Sequence, residues 1–210
     1  MIEYHKIQTV YKRNPDTNFK TLLIGEWALP EFEYLALNKW VFTEKVDGTN
    51  IRIMWNHEEK IVTIGGKSER AQIPSFLANR IAGLNLVIPL SEYYQDTSMC
   101  LYGEGYGGKI QKGGGTYGKD QSFVLFDVKI SEWWLQRKDS EEIAGKLGLQ
   151  VVPIIGSGSL LYMVGLAQDG FKSQWGDFMA EGIVARPAVE LKSRSGQRII
   201  TKIKCKDFQR

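Results

Sequence analysis

Histidine, cysteine and proline are scarce in this chain of 210 residues, at two, two and six. His5, His57, Cys100 and Cys205 include no pair at zinc-ligand spacing, which speaks against a structural zinc and against a disulfide framework. Both cysteines are expected to be reduced and non-catalytic, Cys100 in an apolar strand and Cys205 in a basic one. No apolar run approaches the roughly 20 residues of a membrane span. The chain does not open with a basic stretch followed by an apolar one, so no secretory leader is visible and a cytoplasmic location without membrane partners is expected.

What is present has the balance of a globular domain, 43% hydrophobic and 24% charged residues. The length suits one compact domain, and no repeat or low-complexity linker divides it. Charge is uneven. Residues 192 to 210 hold Lys192, Arg194, Arg198, Lys202, Lys204, Lys206 and Arg210 against the single acid Asp207. Such a run is either a solvated face or a grip on a phosphate-bearing partner.

Residues 40–45 read as a strand, Asp47-Gly48 as a turn, and 51–55 and 61–64 as further strands of an antiparallel meander. A helix is expected over 75–82, then strands at 99–102 and 122–128. A helix over 140–147 would be capped by Asp139, with Glu142 reaching back, and closed by Gly148. Strand 151–155, helix 160–168 and strands 182–185 and 198–204 complete an α+β pattern with antiparallel sheet.

Gly103-Glu-Gly-Tyr-Gly-Gly108 matches G-x-G-x-x-G after a strand, with Asp127 following at about the distance a dinucleotide site requires. That mechanism needs a helix opening at the third glycine. Residues 109–121 have no apolar face and contain three consecutive glycines, so the reading is rejected.

Lys45-Val-Asp47-Gly48-Thr-Asn50 closes a strand at a tight turn, where a lysine could act as nucleophile once deprotonated. The signature resembles motif I of the covalent nucleotidyltransferases, which comprise DNA ligases, RNA ligases and mRNA capping enzymes. The other motifs of that superfamily follow in order. Leu101-Tyr-Gly-Glu104-Gly resembles motif III, Phe123-Val-Leu-Phe126-Asp127 motif IIIa, Ala180-Glu181-Gly182-Ile motif IV, and Thr201-Lys202-Ile-Lys204 motif V. Period-two alternation puts Lys202 and Lys204 on one face of their strand.

Within the superfamily the chain is most similar to the phage RNA ligase 2 type. Glu44 precedes the lysine, motif I ends Gly-Thr-Asn, and Ile110-Gln-Lys112 and Tyr117-Gly-Lys-Asp120 precede the Phe-x-x-Phe-Asp strand. The resemblance implies an ATP-grasp-like ligase domain of antiparallel sheets and flanking helices, with the nucleotide bound between sheets. It implies an ATP-dependent RNA ligase in which Lys45 takes AMP from ATP, passes it to a 5′-phosphate and lets a 3′-hydroxyl displace it. By the same resemblance Lys45, Lys202 and Lys204 are catalytic. Glu44, Val46, Asn50, Lys67 or Arg70, Glu104, Phe126 and Glu181 hold the nucleotide, and Glu181 and Asn50 place Mg2+ or Mn2+ directly or through water.

An ordinary lysine is almost wholly protonated at neutral pH, so the chemistry requires neighbouring cations that favour the neutral amine. The implied partner is RNA, as a nicked duplex or as single-stranded ends, in the host cytoplasm if the gene is phage-borne. The sequence stops six residues after motif V, with no room for an OB-fold or a ligase 2-type C-terminal domain. A minimal ligase, an isolated domain, and a domain completed by a separate nucleic-acid-binding protein all remain open. A DNA ligase, a capping guanylyltransferase and a non-catalytic RNA-end-binding module are the alternatives. Trp133-Trp134 reads either as core or as a platform for a base.

Overall fold

The computed structural model describes residues 3–208, so Arg210 of the basic run lies outside the described residues. In chain order the elements are β1 (Gln8–Thr9), β2 (Tyr11–Arg13), β3 (Leu22–Trp27), α1 (Pro30–Tyr34), β4 (Trp40–Lys45), β5 (Thr49–Asn56), β6 (Ile61–Gly65), α2 (Ser75–Ala82) and α3 (Val87–Tyr93). They continue with β7 (Met99–Tyr106), β8 (Ser122–Ile130), β9 (Trp133–Trp134), α4 (Arg137–Leu147), β10 (Gln150–Val151), β11 (Ile154–Gly158), α5 (Leu160–Asp169), β12 (Gly182–Pro187) and β13 (Thr201–Lys204). The architecture is α+β, as the sequence pattern implies. Among the described residues it forms two compact units, one of residues 6–46 and 153–208, the other of residues 3–5 and 47–152.

The first unit is built on a five-stranded sheet in the order β1-β13-β12-β4-β11, beside the two-stranded β2-β3. Alternation along β4 is strict. Trp40, Phe42 and Glu44 are buried, while Val41, Thr43 and Lys45 are half-buried. Trp40 and Phe42 pack with Ile183 and Ile203 against Leu160 and Met163 of α5, whose first turn is capped by the Ser159 side chain. Burying such a face is what ties the strand register to its sequence.

The second unit is a six-stranded sheet in which β10, β8, β7, β5 and β6 lie in order and β9 pairs with β8. Ile51, Ile53, Leu101 and Leu125 point to its core face, covered by Leu77 of α2 and by Ile143 and Leu147 of α4. Strand β7 runs on through Tyr106, and residues 107–121 carry only turns and one 3-10 turn at Gly114–Thr116. No helix opens at Gly108 to receive a dinucleotide.

Four local expectations need correction. Strand β4 pairs with β11 and β12 and not with β5, so Asp47-Gly48 is not the turn of a hairpin. The expected strand 151–155 is two strands. Pro153 has no N–H to give a ladder, β10 pairs parallel with β8, and β11 pairs antiparallel with β4. Helix α4 starts three residues early, at Arg137. Ser140 N–H already bonds Gln136 O and is buried, while Glu142 pairs with Lys146 and not with the helix start. Strand β13 begins at Thr201, because Arg198 is drawn into an ion pair with Glu190.

Candidate active site

Strand β12 is the middle of three antiparallel strands, and its register sets the chemistry. Gly182 lies opposite both Lys45 and Lys204, and Val184 lies opposite both Thr43 and Lys202. Directly opposed residues share a face, so Lys45, Lys202 and Lys204 stand on one face of the first unit's sheet in two adjacent rows. Glu181, one residue before β12, meets two of them. Its Oε2 accepts from Lys45 Nζ, and its Oε1 stands 2.6 Å from Lys204 Nζ. The Glu181 side chain is only 9% exposed. Among these four side chains positive charge exceeds negative by two, which suits an anionic ligand.

Gly182 makes the close approach possible. A Cβ there would lie 2.1 Å from Ile203 O and 2.7 Å from Lys204 Cα, so a side chain would push β13 off β12. Past the lysines the chain is held by Asp207, which accepts from Lys204 N–H at 3.2 Å and takes both guanidinium nitrogens of Arg13 at 3.0 Å. The basic run is therefore not one solvated face. Lys192, Arg194 and Lys206 are exposed, Arg198 is buried, and Lys202 and Lys204 belong to the lysine face.

Glu44 is placed elsewhere. It sits with Phe42 on the core face of β4, 1% exposed, accepting from Ser173 Oγ at 2.6 Å and Gln174 N–H at 2.8 Å. Burial pushes its carboxyl up, while those two hydrogen bonds pull it back. Val46 is buried, at 3% exposure.

In the second unit Asn50 lies directly opposite Glu104. A bulge between Tyr102 and Gly103 inserts Phe126 between Leu125, opposite Gly103, and Asp127, opposite Tyr102, so Phe126 and Asp127 follow each other on the side away from Leu125 and Val128. The structure thus brings Asn50, Glu104 and Phe126 to one sheet face. Asn50 Oδ1 is buried with no hydrogen-bond partner, an acceptor that a ligand donor would satisfy. Lys67 and Arg70 are both exposed, in the turn after β6. That turn is anchored where Arg52 Nε donates to Gly66 O at 2.7 Å. Gly48 is needed because a Cβ would lie 2.3 Å from Gly105 O. Tyr117 and Gln111 of the glycine-rich loop reach this turn, as Asp47 N–H donates to Tyr117 Oη and Gln111 Nε2 donates to Gly48 O.

Sequence reasoning missed the roles of Ser173, Arg13 and Arg52. Only Arg52 carries a local signal, a charge placed between Ile51 and Ile53 on the opposite face of an alternating strand. It also missed the Tyr4 hydroxyl, which donates to the buried Asp127 at 2.5 Å within an aromatic cluster that includes Tyr102 and Trp134. Trp134 is therefore half-buried in that cluster, while Trp133 is 72% exposed. Both cysteines are free and buried, and burial pushes the Cys100 thiol up to about 11, as expected for inert residues.

A family model described as RNA ligase matches residues 38–204, which spans the lysine face and the Asn50–Glu104 face alike. The chain belongs to the RNA ligase family. Solved forms of the Naegleria gruberi RNA ligase share its fold. The form with PPi is 19% identical at a TM-score of 0.69, covering 97% of this chain and 56% of that one. A mutant with AMP and Mn is 16% identical with the same coverage and TM-score, and another with ATP and Mn is 18% identical, covering 83% of this chain and 51% of that one, at 0.65. This RNA ligase family chain thus spans about half the length of those relatives. No curated protein matches it.

Proposed function

We propose that this chain is the adenylyltransferase part of an ATP-dependent RNA ligase, with Lys45 as the residue that becomes covalently adenylylated. One observation carries the proposal. In a member of the RNA ligase family, Lys45, Lys202 and Lys204 share one sheet face, and Glu181 is ion-paired to two of them. Lys45 Nζ forms a bond to the α-phosphorus of ATP as the bond to the β-phosphate oxygen breaks, and pyrophosphate leaves with the electron pair. The ammonium proton must depart first, and the Glu181 carboxylate stands within hydrogen-bond reach of it. Lys202 and Lys204 supply positive charge where negative charge builds on the phosphoryl oxygens.

A divalent ion fits this donor set. Among the described residues no three His, Cys, Asp or Glu side chains cluster. Mg2+ needs only one or two carboxylates beside substrate phosphates and water, and Glu181 offers such a carboxylate. Bound there, it would neutralise phosphate charge. The solved Naegleria relatives with ATP, AMP and Mn support that choice of nucleotide and metal.

In the second unit, Glu104, Phe126 and Asn50 are assigned to ribose and base, and Lys67 or Arg70 to phosphate or ribose. Their support is the family resemblance together with the shared face of the first three. The substrate class is RNA with a 5′-phosphate and a 3′-hydroxyl, gripped with the help of a further domain or protein. Incubation with Mg2+ and α-labelled ATP tests the reading. Label on the protein, followed by its transfer to a 5′-phosphorylated nicked RNA, is the expected result. Label from GTP alone would indicate a capping enzyme, transfer to all-DNA nicks alone a DNA ligase, and RNA binding without any label a binding module.

A further inference from the structure

Glu44 is the immediate neighbour of Lys45, yet its side chain lies on the opposite face of β4 from all three lysines and is buried. A residue so placed has no direct access to a phosphate held on the lysine face. Each of its carboxylate oxygens accepts from another segment, residues 171–180, which run from the end of α5 to Glu181.

That segment is a closed loop. Ala180 N–H donates to Phe171 O at 2.9 Å, Ser173 N–H donates to Phe178 O at 2.8 Å, and Lys172 and Met179 form an isolated antiparallel bridge. Ser173 Oγ takes one further hydrogen bond, from Trp175 N–H at 3.1 Å, while donating to Glu44. The far arm of the loop leads through Ala180 straight into Glu181. Glu44 itself is pinned twice by its backbone, as the cross-strand neighbour of Ile183 and by donation of its N–H to Pro153 O at 3.1 Å. The Glu44 carboxylate therefore fastens the near arm of the loop to the strand residue beside Lys45.

We infer that Glu44 and Ser173 form a clamp that positions Glu181 against Lys45, which makes the Glu44 side chain a positioning group and not a contact to the phosphates. The inference rests on the adenylylation reading above. Its chemical basis is the number of acceptors. A carboxylate accepts from the Ser173 hydroxyl and the Gln174 N–H together, whereas a glutamine keeps the Gln174 N–H on its carbonyl oxygen only by turning its NH2 to Ser173 Oγ, which must then accept, so that two charge-assisted hydrogen bonds become weaker neutral ones. Small displacements matter because about 1 Å of misplacement at a reacting group costs on the order of a hundredfold in rate.

The test compares wild type with Ser173→Ala, Ser173→Thr, Glu44→Gln and the Ser173→Ala plus Glu44→Gln double variant. The reading is the rate of covalent labelling by α-labelled ATP with Mg2+ over a range of ATP concentrations, and melting curves confirm that each protein is folded. Ser173→Ala removes one hydroxyl and serves where Glu44→Gln fails to fold. Both single variants are expected to slow labelling at saturating ATP about tenfold while the half-saturating ATP stays within about twofold. The double variant should be no slower than the slower single one, and Ser173→Thr, which keeps the hydroxyl, should restore the rate. Two results overturn the clamp. One is Glu44→Gln raising the half-saturating ATP while Ser173→Ala behaves as wild type, since the carboxylate would then touch the nucleotide. The other is both singles labelling at the wild-type rate. A wild-type chain that takes no label refutes the adenylylation reading itself, and the positioning role falls with it.

Discussion

Replacing Gly182 with alanine adds one methyl group at the centre of the lysine face. The backbone there is extended and not left-handed, so alanine suffers no conformational penalty of its own. All of the cost is steric. The new Cβ would stand 2.1 Å from Ile203 O, 3.1 Å from Ile203 C and 2.7 Å from Lys204 Cα. Ordinary carbon contacts lie near 3.5 Å, so β13 must retreat from β12 by roughly 1 Å. Those neighbours are backbone atoms of a strand and cannot rotate away. Overpacking of this kind costs about 1–3 kcal/mol, and at about 2–4 °C per kcal/mol for a chain of this size the Tm should fall by roughly 2–12 °C. The same retreat draws Lys204 away from Glu181, so labelling at saturating ATP should drop by ten- to about a hundredfold. Differential scanning calorimetry and the labelling rate are the assays. A Gly182→Ala protein with wild-type Tm and wild-type rate would refute the claim that close β12–β13 packing positions the site.

Three further outcomes follow from the same structure. Arg13→Ala leaves the Asp207 carboxylate, whose side chain is only 3% exposed, with the Lys204 N–H and no cation, and should destabilise the fold by about 1.5–3 kcal/mol, the worth of hydrogen bonds between charged groups, read by urea melts. In the second unit, Phe126→Ala should raise the ATP concentration for half-maximal labelling about tenfold, since stacking a base on an aromatic ring is worth about 1–3 kcal/mol; an unchanged value would remove Phe126 from the base-binding role. Cys100 holds its proton to about 11 in the fold against 9.0 for an ordinary thiol. The unfolded state therefore sheds this proton first as pH rises, and the stability Cys100 contributes is intact below about 9 and lost between about 9 and 11. Native protein at pH 8 should resist a thiol reagent that modifies both cysteines in denaturant, and rapid native labelling would contradict the buried placement.

The parts of the fold legible in the sequence were those with a strong local period. Alternation in Trp40–Lys45 and Gly182–Pro187 and the apolar face of Ser75–Ala82 specify their elements nearly to the residue. The first 39 residues offer no such period, and β1 to β3 owe their formation to pairing, as in the parallel ladder of β1 with β13. The break at Pro153 is visible locally, but nothing local says that its two sides join different sheets.

The lysine face was legible only in part. Alternation along β13 puts Lys202 and Lys204 on one side of their strand, but that Lys45 joins them depends on the register of β12 with both β4 and β13, which no local pattern states. Glu44 was not legible. Its phase puts it on the core face, a placement any carboxylate resists unless partners wait there. Those partners, Ser173 and the Gln174 N–H, are some 130 residues further along the chain in a loop without periodicity.

The measurement that bears most directly on the central claim is covalent labelling of Lys45. Wild type and Lys45→Ala would each be incubated with Mg2+ and α-labelled ATP and run on a denaturing gel, after pyrophosphate treatment to strip any AMP already attached. Label on wild type and none on Lys45→Ala is the predicted result. Equal label on both proteins would show that another residue accepts the nucleotide and would contradict the account of the lysine face.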